Sequence, residues 1–145
     1  MQATPRPTAI PQDIEWRFPR SARSVGRARH LFREQARSWG LPSETTETAE
    51  LLLSELMTNA YRHASNPPGR EIWARAILSE NPARLRLQVT DASPTLPAPR
   101  TASLEAESGR GLTLVSALAD DWGAERREAG VGKAVWFELA LTLPE

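Results

Sequence analysis

Between Glu50 and Ala64 apolar residues recur at Leu52, Leu53, Leu56, Met57, Ala60 and Ala64, and the stretch holds no glycine or proline. That spacing predicts an amphipathic helix. Pro42 and the run Ser43-Glu44-Thr45-Thr46-Glu47-Thr48 supply its start, with a hydroxyl cap and acidic residues suited to a helix N-terminus. Asn66-Pro67-Pro68-Gly69 supplies its end. An earlier stripe, Val25, Ala28, Leu31, Phe32, Ala36 and Trp39, predicts a helix capped by Ser21 or Ser24 and stopped at Gly40. Leu112, Val115, Leu118 and Ala119 predict a third. Elsewhere the period is two: Ile14, Trp16 and Phe18; Leu85, Leu87 and Val89; Val135, Phe137, Leu139 and Leu141. These are half-buried strands. Ile72 to Leu78 and Trp122 to Glu128 read as two more, and Gly130-Val131-Gly132-Lys133 as a hairpin turn. The short link between Leu78 and Leu85 cannot hold a crossover helix, so those strands form an antiparallel hairpin.

The order is strand, two helices, two strands, a long loop, helix, two strands. Without regular βαβ alternation this predicts an α+β fold. It would be a two-layer α/β sandwich, with a mixed, mostly antiparallel sheet and helices on one face. Residues 1–13 hold three prolines and few apolar groups and read as a flexible leader. Residues 14–145 read as one domain, a size that buries an ordinary core.

Composition narrows the function. Lys plus Arg and Asp plus Glu number 18 each, so no net field recruits nucleic acid or an anionic membrane. The six arginines between Arg20 and Arg37 are the only argument for a nucleic-acid module. Cysteine is absent and histidine limited to His30 and His63, which excludes disulfides, thiolate sites and histidine-rich metal centres. No run has the length of a membrane span and the N-terminus lacks a signal-peptide core, so a cytoplasmic protein is expected.

Within the apolar helix, Glu55 and Asn59 are four apart and project side by side, and His63 continues the row. Such a row needs a polar partner, either water at the rim of the domain or a ligand with a metal ion. His63 itself reads as a helix-end polar residue, His30 as a surface residue, and Trp16, Trp39, Trp73, Trp122 and Trp136 as core and rim packing. Asp91 closes a strand ahead of Ala92-Ser93-Pro94-Thr95. It could cap that turn, or accept from an exocyclic amino group such as adenine's. Residues 93–108 lose all periodicity, as lids and binding loops do. Gly109-Arg110-Gly111 then opens a helix with Thr113 in its first turn. That arrangement either turns the chain or binds an anion on free backbone N–H groups.

Four segments in this order resemble a known family. Ser54-Glu55-Leu56-Met57-Thr58-Asn59-Ala60 looks like the N box of the histidine-kinase-like (GHKL) ATPases. Val89-Thr90-Asp91-Ala92-Ser93-Pro94 looks like their first glycine box, and Ser108-Gly109-Arg110-Gly111-Leu112-Thr113 like their second. Gly132-Lys133-Ala134-Val135-Trp136-Phe137 is similar to their closing strand. The likeness runs from Trp16 to Leu143 and is strongest to small actinobacterial anti-sigma-factor serine/threonine kinases. It implies a Bergerat ATP-binding fold binding ATP and Mg²⁺, with Glu55 as general base and Asn59 as metal ligand. It also implies Asp91 on the adenine amino group, with Ser93, Gly109, Arg110, Gly111, Leu112 and Thr113 around the nucleotide. The partners implied are a sigma factor and an anti-anti-sigma (STAS-type) protein, with Val25, Leu31 and Phe32 serving either a homodimer or the core. Ser93 and Thr95 replace two glycines of the first box, and Ala134 stands where relatives often carry a threonine near the adenine. These departures favour, as an alternative, a non-catalytic ATP-binding regulator whose lid gates partner binding.

Overall fold

The alternating strands and striped helices come together in the computed structural model, which describes residues 12–63, 71–80, 82–91, 111–126 and 132–141. Most of the expected leader, the helix end at 66–69, the loop at 93–108 and the first half of the turn at 130–133 lie outside these residues, as do Ser93, Gly109 and Arg110. The elements are β1 (Gln12–Pro19), α1 (Arg23–Trp39), α2 (Ser43–His63), β2 (Glu71–Ser79), β3 (Arg84–Asp91), α3 (Gly111–Leu118), β4 (Asp121–Arg126) and β5 (Lys133–Ala140). The strands form one sheet in the order β1-β2-β3-β5-β4, and each of the four described pairings is antiparallel. The fold is the expected α+β sandwich.

Both helix starts differ from expectation. Neither serine hydroxyl caps α1, whose N-cap is Ala22 in helical conformation. Ser24 already lies inside the helix, 1% exposed, and donates its hydroxyl back to the Pro19 carbonyl at 2.6 Å. That bond fixes the corner between β1 and α1. At α2 the Pro42 carbonyl accepts both the Thr46 N–H at 2.9 Å and the Thr46 hydroxyl at 3.1 Å. The helix therefore grows directly from the proline. The α1 C-terminus follows the glycine rule: Gly40 adopts φ 73°, its N–H donates to the Arg37 carbonyl, and the Leu41 N–H donates to that of Ala36. This pair of bonds is a Schellman motif, which a residue with a Cβ enters only under strain.

The core lies between helices and sheet. Phe18, Phe32, Phe137, Leu52, Leu53, Met57, Ile72, Leu85, Leu87 and Val115 are each less than 2% exposed. Phe32 is spent there, with Val25 and Leu31 partly buried beside it, so this trio packs into the chain's own core. α1 packs on β1 and α2; α2 on β2, β3 and β5; α3 on α2 and β4. The helix layer thus runs α1-α2-α3 above a sheet running from β1 to β4. Arg29 and Arg33 of α1 both pair with Glu50 of α2, and Arg20 donates to the Tyr61 carbonyl at 3.2 Å.

The other face of the sheet is polar, and two of the tryptophans expected in core or rim lie on it. The Arg17 guanidinium stacks 4.4 Å above the Trp73 ring, and that of Arg86 4.1 Å above Trp136. Arg84 and Arg86 also reach Glu138 at 3.0 and 3.2 Å. Arg75 donates to Asp13 at 2.9 Å, and these hydrogen bonds hold the Asp13 carboxyl below its ordinary value. Gly123 stands opposite Trp136 in the β4–β5 ladder, and a Cβ there would fall 2.8 Å from the indole. The ring needs that gap to lie flat on the sheet.

Candidate functional site

Helical geometry decides which way the Glu55–Asn59 row looks. At about 100° per residue these two positions stand roughly 140–180° round α2 from Glu50. Glu50 faces α1, so Glu55 and Asn59 lie on the opposite flank, toward α3. Both are half-buried. Among the described residues neither makes a hydrogen bond or ion pair, and the buried Leu52, Leu56 and Ala60 are their neighbours along the helix. A half-buried carboxylate and carboxamide without a partner among the described residues suit an external polar ligand, because leaving such groups unsatisfied is costly.

Asp91 lies in the layer below. The β3 alternation carries Leu85, Leu87 and Val89 toward the helices, and Asp91 continues that face at the strand's end. It is 5% exposed, the most deeply buried charged residue described. Its partner was not singled out from sequence: Lys133 stands opposite it in the β3–β5 ladder, with Nζ 3.2 Å from Oδ2 and 3.5 Å from Oδ1. Reading Gly130 to Lys133 as a turn hid this. Extending the alternation Leu139, Phe137, Val135 one step back places Lys133 on the core face. Ala134 pairs with Thr90 on the other face of the sheet.

The second glycine box enters through α3. Gly111 is its first residue and Thr113, exposed, sits in its first turn; the Leu112 side chain lies outside the described residues. Val115 is wholly buried and anchors the helix on the core beside α2. α2 packs against both β3 and α3, the elements that carry Asp91 and Gly111–Thr113 and that lie far from it in sequence. An open cleft of about 550 Å³ lined by Arg33, Arg37, Leu41, Ser43, Thr46, Glu47 and Glu50 lies on the α1 flank of α2.

A sequence profile of the histidine kinase-like ATPase domain matches residues 18–139, nearly the whole sandwich. The chain belongs to the histidine kinase-like ATPase family. Membership implies ATP binding. The ATPase domain is 39% identical over 87 residues to the uncharacterized protein SCO4941 of Streptomyces coelicolor, covering 58% of this chain and 81% of that one. Its fold matches a crystal structure of the RsbU and RsbW domains of Rv1364c from Mycobacterium tuberculosis, with a TM-score of 0.69 at 16% identity. That match covers 92% of this chain but 33% of the other, so the ATPase domain spans about a third of the larger protein. No described helix is long and apolar enough to cross a membrane.

Proposed function

We propose that this chain is a cytoplasmic, ATP- and Mg²⁺-dependent protein serine/threonine kinase of the anti-sigma type. It would sequester a sigma factor and phosphorylate a serine on a STAS-type partner. The observation that carries the reading is the half-buried Glu55–Asn59 row, unpartnered among the described residues, on the α3 flank of α2. The shared fold with a chain containing an RsbW domain supports the regulatory part.

The residues present fit the nucleotide. Asn59 offers Mg²⁺ a neutral amide oxygen, which suits an ion that takes most of its ligands from phosphates and water. Among the described residues no three acidic or histidine side chains are grouped to bind a metal without such help. Asp91, buried at the end of β3 beside Lys133, would accept the adenine amino hydrogen. The backbone N–H groups of Gly111, Leu112 and Thr113, unpaired within a helix's first turn, donate to phosphate oxygens together with Ser93, Gly109 and Arg110. When bound there, Mg²⁺·ATP would supply the transferable phosphoryl group and the metal would offset its charge. Glu55 takes the proton of the acceptor serine as its oxygen bonds to phosphorus and the bond to the leaving ADP oxygen breaks.

Incubation with γ-labelled ATP and STAS-type acceptors tests the proposal. Label should reach an acceptor serine with wild type and be lost with Glu55→Gln and Asn59→Ala. A wild type that binds ATP yet labels no acceptor would sink the kinase reading. The second reading, a non-catalytic ATP-gated regulator, would then stand. Ser93 and Thr95 in place of glycines favour that reading, because they stiffen the first box. It predicts that Glu55→Gln leaves the cellular output intact.

A further inference from the structure

We infer that Lys133 is a specificity-determining residue: paired with Asp91, it forms an acceptor–donor edge that selects adenine over 6-keto purines. The inference rests on the ATP reading and adds a residue to it.

The Lys133 side chain is 12% exposed and that of Asp91 4%, so the pair is largely withdrawn from water at the ends of the two central strands. The two contacts, at 3.2 and 3.5 Å, place one ammonium across both carboxylate oxygens. An ammonium has three N–H donors and no acceptor. Among the described residues Asp91 is the only partner of that ammonium, so the pair is built to engage a further acceptor beside Lys133. A buried charge with donors to spare is costly unless a ligand completes it.

Side by side, the two groups present an acceptor and a donor. Adenine offers the complement: an N6–H donor adjacent to the N1 acceptor. A 6-keto purine such as hypoxanthine reverses both, with an O6 acceptor beside an N1–H donor. It would set its carbonyl oxygen against the Asp91 carboxylate and its N–H against the ammonium. Sites whose buried polar groups are mismatched reject a ligand far more strongly than sites that merely lose contact area. A Lys133 side chain that only neutralised Asp91 would leave no such mark on base choice.

The test is calorimetric titration of ATP and of inosine triphosphate into wild type, Lys133→Met and Lys133→Gln, with melting curves taken first to confirm folding. Wild type should prefer ATP by at least about tenfold. Lys133→Met should weaken ATP binding about 10- to 100-fold, the range for losing a hydrogen bond to a charged group, and leave inosine triphosphate little changed. Lys133→Gln keeps a polar side chain if the methionine variant does not fold. Its amide presents either a donor or an acceptor, so the preference should fall toward unity. Variants that bind ATP as tightly as wild type, or more tightly, with the preference retained, would overturn the inference and leave ATP binding intact. A wild type that binds neither nucleotide would overturn both.

Discussion

Asp91→Leu removes one partner of an ion pair whose side chains are 4% and 12% exposed. Breaking a buried pair costs about 3–5 kcal/mol, mostly because the surviving charge is left unpaired. Here the survivor is Lys133, with a flexible four-carbon stem that can carry its ammonium toward water. The lower end, about 3 kcal/mol, is therefore expected. Lys133→Met leaves the more deeply buried Asp91 carboxylate instead, and should cost about as much or more. The double variant replaces the pair with apolar side chains, an exchange that is often neutral or stabilising by about 1–4 kcal/mol. With each single variant costing about 3 kcal/mol and the double none, the effects should fail to add by about 6 kcal/mol, well outside the roughly 0.5 kcal/mol seen for independent sites. Urea denaturation of the four proteins without nucleotide, followed by tryptophan fluorescence, measures the coupling. A double variant as unstable as the sum of the singles would show that the two charges do not stabilise one another, and would undo the account of Lys133.

Gly123→Ala should destabilise by about 1–2 kcal/mol, since its Cβ would fall 2.8 Å from the Trp136 ring and lift it from beneath Arg86. In a Trp136→Ala background the same change should be neutral or stabilising, and an equal cost in both backgrounds would refute the clash. Gly40→Ala should cost about 1 kcal/mol by placing a Cβ at φ 73°, read as a lowered melting temperature. The Arg75 hydrogen bonds hold the Asp13 carboxyl below its ordinary value, so the pair's stabilisation is complete above that ordinary value and fades as pH falls through the lower folded one. The stability gap between wild type and Asp13→Asn should close in that acid range. Because both side chains are well exposed, the gap at neutral pH should stay below about 1 kcal/mol.

The periodicity of the chain determined most of the fold by itself. Leu52, Leu53, Leu56, Met57 and Ala60 could be buried together only on a helix, and Leu85, Leu87 and Val89 only on a strand, because each set matches a single backbone period. The Gly40 stop was equally local, as was the adjacency of Glu55 and Asn59 four residues apart. Helix starts were less legible: Ser24 found a better acceptor in the Pro19 carbonyl, supplied by the preceding strand. The faces of Trp73 and Trp136 also escaped, since an arginine on a neighbouring strand can hold an indole on the solvent side. What only the tertiary structure decided was the pairing of distant segments. Asp91 and Lys133 are 42 residues apart, and no local pattern sets which strand lies beside β3. The sheet order fixes that neighbour, and the antiparallel register then puts a lysine, rather than the adjacent alanine, on the face with the buried acid. A one-residue slip would reverse that choice, because successive side chains point to opposite faces.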